Sequence, residues 1–118
     1  MKFFAGFLAL LLAWPALAHH SFAVYDFDTQ TPFTGTVETL SFRNPHIAMT
    51  LKTVDANGKD QIITFAEGAP ANMLVRSGLK PEMIKPGTRI TAIGSPLHDD
   101  KTRYFLRVIR LESGEEFK

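Results

Sequence analysis

Hydrophobic and polar positions in this chain alternate far more often than they recur at helical spacing. The cleanest case is HIAMTLKTV, residues 46–54: Ile47, Met49 and Leu51 fall on one side, and His46, Ala48, Thr50 and Lys52 on the other. That is the period-two signature of a half-buried strand. Asp55-Ala56-Asn57-Gly58 follows, and Asn-Gly tolerates the positive φ angles of a tight hairpin turn. QIITFAE, 61–67, is the returning strand. Upstream, FTGTVETLSF (33–42) is rich in Thr, Val and Phe, as strands are. Its apolar positions change phase: Phe33 and Val37 share one face, Leu40 and Phe42 the other, with Gly35 between them. A phase change around an interior glycine predicts a bulged or bent strand that serves two sheets. Asn44-Pro45 ends it, because proline lacks the ladder N–H and restricts its predecessor.

One short helix interrupts the strands. Pro70 suits a first helical turn, Ala71, Leu74 and Val75 form a small apolar stripe, and Gly78 closes it. KPGT (85–88) matches a type II turn. TRITAIGS (88–95) and RYFLRVIRLE (103–112) are the last strands, joined by a polar loop from Pro96 to Thr102. In the final strand two inward sets compete, Leu106/Val108 against Phe105/Ile109. The tail SGEEFK is expected to fray.

The order is therefore β-β-β-α-β-β with a long, bent first strand. It predicts an all-β domain with one short helix, a small five-stranded OB-like Greek-key barrel. Closing the sheet removes its edges, and the helix plugs one end. A five-stranded meander with a packed helix is the alternative.

The N-terminal segment has a different pattern. Met1-Lys2 carries one positive charge, an apolar run extends from Phe3 to Ala13, and Ala16-Leu17-Ala18 supplies the small residues of a peptidase site. These are the parts of a secretory leader. The apolar run is about half the length that spans a bilayer, and no later segment approaches it. The expected division is a cleaved signal peptide over 1–18, an extended arm over 19–31, the barrel over 32–113 and a frayed tail over 114–118. The expected location is periplasmic or secreted, with no membrane span after signal removal.

Cleavage between Ala18 and His19 leaves 100 residues, a length that suits one domain. Lys and Arg total 13 against 12 Asp and Glu. Lys2 leaves with the leader, so the remainder is balanced. Nothing supplies the positive field that nucleic-acid binding requires. With no cysteine, an exported domain of this size is held by packing alone, which favours compact β architecture.

Five motifs occur in a fixed order: AHHSF at the expected mature start, TGTV (34–37), NPH (44–46), AEGAPANMLVRSGL (66–79) and KPG (85–87). Together they resemble an uncharacterised family of small exported bacterial proteins, domain-of-unknown-function family 6152. The resemblance covers nearly all of the mature chain and implies export and this fold. It implies no activity. The chain departs from the family pattern at Phe42, where tryptophan is common, and at Leu79, where an aromatic residue is common. A third departure is the HDDK turn (98–101). These departures weaken a shared aromatic ligand platform.

Candidate chemistry centres on histidine. Cleavage after Ala18 creates an α-amine on His19, and such an amine, with a pKa of about 8, deprotonates readily when a metal competes for it. The amine and Nδ1 of His19 then chelate one ion. A third imidazole nitrogen, from His20 or His46, completes a T-shaped nitrogen set that suits Cu(II) among first-row metals. The amine, the His20 amide nitrogen and the His20 imidazole form a second geometry that needs no help from the domain. Against both stands a solvated histidine tail. Thirteen residues of arm span roughly 40 Å extended, enough to reach His46. His46 also reads as a surface histidine after an Asn-Pro turn, His98 as a solvated loop residue, and Met49 as core rather than a soft metal ligand.

Enzyme readings have less support. No serine sits in a nucleophile-elbow context. Glu67 reads as an acid leading the helix rather than a base. Arg103, Arg107 and Arg110 read as a solvated strand face, with an anion-binding face as the alternative. The expectation is a non-enzymatic exported binding module that takes a metal ion, copper preferred, through His19, His20 and His46. The alternative is a metal-independent module that binds an envelope protein, peptide or glycan through barrel loops.

Overall fold

The computed structural model describes residues 22–118. The leader and both His19 and His20 lie outside the described residues. A turn of 3-10 helix at Phe22–Val24 leads into strands β1 (Thr31–Ser41), β2 (Ala48–Val54) and β3 (Asp60–Glu67). Helix α1 (Ala71–Arg76) and a second 3-10 turn at Pro81–Ile84 follow, then β4 (Arg89–Pro96), β5 (Arg103–Leu111) and β6 (Glu116–Phe117).

The strands lie in the order β3-β2-β1-β4-β5-β6, and a further pairing between β3 and β5 closes the sheet. All neighbours are antiparallel except β3 and β5, which run parallel from Thr64↔Arg103 to Glu67↔Phe105. This is a closed five-stranded barrel of OB topology, with one short helix inserted between β3 and β4, as the residue pattern predicts.

β1 serves both halves of the barrel. Its first part, Thr31 to Thr36, pairs with β4, and its second, Thr36 to Ser41, pairs with β2. The change of partner coincides with a bulge: Val37 opposes Leu51, Thr39 opposes Thr50, and Glu38 is the extra residue. Gly35 lies at the crossing. A Cβ there would run into the Lys52 carbonyl oxygen, so only glycine lets the two strands cross this closely. The bulge explains why Val37 is buried while Leu40, three residues on, also packs against the core.

The core is the inward set of all five strands closed by the helix, with Val37, Ile47, Leu51, Phe65, Ile90 and Ile109 buried. α1 contributes Ala71 and Leu74. Val75, expected on the apolar stripe, is instead exposed, and Leu79 is buried in its place. The cause is the helix end. Gly78 has φ 100°, its N–H bonds the Val75 carbonyl, and the Leu79 N–H bonds the Leu74 carbonyl, both at 3.0 Å. This Schellman pair turns Leu79 back beneath the helix.

β5 resolves its competing periodicities by using both. Ile93 opposes Val108 and Gly94 opposes Leu106, so Arg107 is an extra residue. Tyr104 and Leu106 point inward before the bulge, and Ile109 after it.

Two expectations about the ends are corrected. The tail does not fray: Glu116 and Phe117 pair with Arg110 and Ile109, and Phe117 is only 3 % exposed. An aromatic ring near the terminus covers the apolar end of the barrel beside α1, and Gly114, at φ 91°, makes the turn that brings it there. The described part of the arm is not simply extended. It carries the first 3-10 turn and is fastened to the end of β4 and the loop after it by Asp26 N–H to the Pro96 carbonyl at 2.8 Å and His98 N–H to the Val24 carbonyl at 2.9 Å.

Candidate functional site

His46 stands in the connection between β1 and β2, which is laced to the segment entering α1. The Ile47 N–H bonds the Ala69 carbonyl at 3.1 Å, the Ala71 N–H bonds the Arg43 carbonyl at 3.4 Å, and the Asn72 N–H bonds Asn44 Oδ1 at 3.1 Å. The Asn44–Pro45 peptide bond is cis. These contacts hold the half-buried His46 ring with Nδ1 2.9 Å from the Gly68 carbonyl oxygen. A carbonyl oxygen only accepts, so Nδ1 carries the proton and the lone pair of the neutral ring lies on Nε2. An imidazole whose other nitrogen is tied to a carbonyl is fixed in tautomer and orientation, the arrangement found around metal-ligating histidines.

The arm docks at the same end. Tyr25 is 5 % exposed and forms an aromatic triangle with Phe27 and Phe105, with ring centroids 5.3 to 5.9 Å apart. The Arg107 guanidinium lies 5.1 Å from the Phe27 ring centroid, and its Nη1 reaches the buried Ser95 hydroxyl at 3.3 Å and the Phe27 carbonyl at 3.4 Å. Burial first, and then the nearby Glu67 carboxylate, hold the Tyr25 hydroxyl above its ordinary pKa, with Arg103 opposing. Glu67 therefore stands beside Tyr25 and not at the head of α1, whose first turn carries no acid. Glu67 immediately precedes Gly68, whose carbonyl positions His46. A short path links the arm to His46: Tyr25, Glu67, Gly68, His46.

The three arginines of β5 have separate environments. Arg107 is stacked on the arm, and Arg110 pairs with Glu116 at 2.6 Å. Arg103 borders an open groove of about 340 Å³ floored by Ala48 and Ala66 and crossed by Thr39, Thr50 and Thr64. These outward threonines stand in one transverse row, Thr39↔Thr50, Thr50↔Thr64 and Thr64↔Arg103, and Thr39 and Thr50 share a hydrogen bond of 2.7 Å. His98 is exposed and Met49 is buried, as expected of a loop residue and a core residue.

Among the described residues no group of three or more His, Asp or Glu side chains is arranged to hold a metal ion. Of the three candidate ligands, His46 is described and oriented, whereas His19 and His20 lie outside the described residues. The residue pattern does not point to Tyr25 or Phe27, and it reads Glu67 as an acid leading the helix rather than as a neighbour of Tyr25. The usable signal was the Tyr25-x-Phe27 alternation within an otherwise polar arm. Among the described residues no helix is long and apolar enough to cross a membrane.

The model of the Family of unknown function (DUF6152) matches residues 8–105, and the chain belongs to that family. No curated protein and no solved structure matches it.

Proposed function

We propose that this member of an uncharacterised family is an exported, non-enzymatic metal-binding module, in which the processed amino terminus at His19 and the imidazole of His46 hold Cu(II). The observation that carries the reading is the Nδ1 bond from His46 to the Gly68 carbonyl at 2.9 Å. It supports a role for Nε2 as a pre-oriented donor, because a solvated surface histidine has no need of a fixed tautomer. The docking of Tyr25 beside Glu67 adds a second support. From Tyr25 back to His19 is six residues, a reach of about 20 Å extended. The His19 amine and Nδ1 then supply two nitrogens and His46 Nε2 the third, a nitrogen-only set that suits Cu(II). His20 is the competing third ligand. The amine is available only after signal cleavage, so the site belongs to the periplasmic or secreted form.

Calorimetric titration of the processed protein with Cu(II) tests the reading. A form with one extra N-terminal residue and the His46→Ala variant should each lose tenfold or more in affinity. Equal binding by the extended and authentic forms overturns the amine-based site.

The groove beside Arg103 favours a second reading, a metal-independent module for an envelope peptide or glycan. Its hydroxyl row and single bordering cation offer both donors and acceptors to a polar ligand. Under this reading, replacement of His19, His20 and His46 leaves ligand capture from an envelope extract unaltered, while Arg103→Glu abolishes it.

A further inference from the structure

A second groove opens on the outer face of the barrel, where β1 passes between β2 and β4. Gly35 lets β1 lie close against β2, and one residue along, Thr36 opposes both Lys52 on β2 and Arg89 on β4. The adjacent Val37, Leu51 and Ile90 are buried, so Thr36, Lys52 and Arg89 all point outward. Neighbouring strands lie ~4.8 Å apart, which sets the two cationic residues about 10 Å apart across the threonine. Each cation is drawn away from the middle by a carboxylate: Lys52 Nζ lies 3.7 Å from Asp60 Oδ2, and Arg89 Nε lies 3.7 Å from Glu112 Oε1. The order across the sheet is therefore acid, base, hydroxyl, base, acid. Both ion pairs are exposed and longer than a hydrogen bond, so they hold the cations weakly. Glu38 approaches Thr50 at 3.5 Å and pairs with neither.

These residues border an open groove of about 390 Å³ that Thr34 and Thr53 also line. Thr34 shares a hydrogen bond of 2.7 Å with Thr91, and Thr53 donates to the Thr34 carbonyl at 2.8 Å, so both hydroxyls are held in place. The Thr36 hydroxyl has no partner among the described residues. Two cations on either side of an unpaired hydroxyl suit an oxyanion, which accepts a charge-assisted bond from each. A bare ion would leave most of the groove empty, so its volume suits a larger molecule that carries the anion. Among the described residues that line it, Val54 is the sole apolar side chain, Asp60 the sole acid, and none is aromatic. The rest of the ligand is therefore polar, with nothing on which a flat ring could stack. We propose that this groove binds an acidic sugar, its carboxylate or phosphate lying over Thr36 between Lys52 and Arg89 and its hydroxyls meeting Thr34 and Thr53. The site shares no residue with the His46 bond or with the groove beside Arg103, so it stands or falls apart from both readings above.

Nuclear magnetic resonance titration of the isotope-labelled protein tests the site, with galacturonate, glucose 6-phosphate, glucose and inorganic phosphate as probes. The two acidic sugars should shift the amides of Thr36, Lys52, Thr53 and Arg89, and glucose should leave them in place. Lys52→Ala and Arg89→Ala should each weaken binding tenfold or more, the loss of one charge-assisted bond. Asp60→Asn releases Lys52 from its competing carboxylate and should tighten binding. All three positions are exposed, so the variants should keep the parent's thermal midpoint. Parental affinity in both cation variants overturns the site, as does the absence of any shift with the acidic sugars. Inorganic phosphate that binds as tightly as glucose 6-phosphate overturns the assignment to a sugar. Tighter binding of the dipeptide aspartyl-aspartate overturns it in favour of a peptide. Tri-galacturonate that binds more tightly than galacturonate supports the site and identifies its ligand as an acidic polysaccharide.

Discussion

His46 Nδ1 lies 2.9 Å from the Gly68 carbonyl oxygen, joining positions 22 residues apart in the chain. The bond serves the fold by tying the β1–β2 connection to the entry of α1, and it serves the site by turning Nε2 away from that carbonyl. The two roles separate on substitution. An asparagine amide placed like Nδ1 donates to the same carbonyl but carries no ring lone pair. His46→Asn should hold unfolding stability within about 0.5 kcal/mol of the parent while losing Cu(II) affinity. His46→Ala should lose both, with a stability cost of about 1 kcal/mol for the bond. Urea melts and copper titrations of the two variants separate these outcomes.

Alkaline pH should weaken the protein through its tyrosines. The chain has two, Tyr25 and Tyr104, and burial is the first cause that raises both above the ordinary value. Glu67 adds to the effect at Tyr25 and Asp100 at Tyr104. A raised folded-state pKa means that the folded form prefers the neutral phenol. Its contribution is complete below the unfolded value near 10 and is lost as pH climbs through the folded value. Phenolate absorbance should therefore appear later in the native protein than in urea. The thermal midpoint should be level up to about pH 10 and fall beyond it.

At the acid end the direction reverses. The Thr29 hydroxyl donates to Asp26 at 2.7 Å, and the Thr102 hydroxyl and amide both donate to Asp100. These bonds hold both carboxyls below their ordinary value. Such groups stabilise the fold above the unfolded pKa and lose that effect as pH falls through the folded one. Amides near Asp26 and in the β4–β5 loop should lose exchange protection below about pH 4, ahead of those of β2 and β3.

Gly35→Ala should be severe at this buried strand position. The new methyl meets the Lys52 carbonyl, a backbone atom that cannot swing aside. Forced repacking of this kind costs about 1–3 kcal/mol, read as a lower urea midpoint. Thr36→Ala, one residue along, should change the midpoint much less.

Phe117→Ala should cost about 3–5 kcal/mol, as for other buried phenylalanines. Its ring is 3 % exposed and packs with the core cluster. Lys118→Ala, one residue further, should be silent. Thermal melts of the two variants provide the comparison.

Much of this fold can be read where one local rule operates alone. β2 alternates without interruption because its pairing with β3 is regular and the bulge in its pairing with β1 adds its extra residue to β1, and the Asp55–Gly58 turn carries its own chemistry, with Asp55 Oδ1 accepting from the Asn57 and Lys59 amides. β5 cannot be read in this way because the bulge at Arg107 shifts the inward set halfway along, and a bulge leaves no signature in a simple period. Val75 misleads for a similar reason: a helix of six residues is too short for its stripe to be decided by periodicity, and the Schellman end hands the inward place to Leu79. The tail reads as frayed because a lone Phe117 among charges gives no strand signal; its burial depends on an apolar opening formed by distant elements. His46 was legible as a candidate from the Asn-Pro-His turn. The link from Tyr25 to Glu67 was not, since it joins two remote segments by a tertiary contact.

The buried ring at Phe117 also bears on how the protein is handled. A tag fused directly after Lys118 would crowd the ring's seat, while a tag ahead of His19 would cap the amine on which the copper reading depends. The Asp55–Gly58 hairpin is exposed except for Asp55 and takes no part in the fastening of Asp26 to Pro96 or in the His46 bond. A dye, epitope or surface tether introduced there leaves Phe117 in its seat and the His19 amine uncapped.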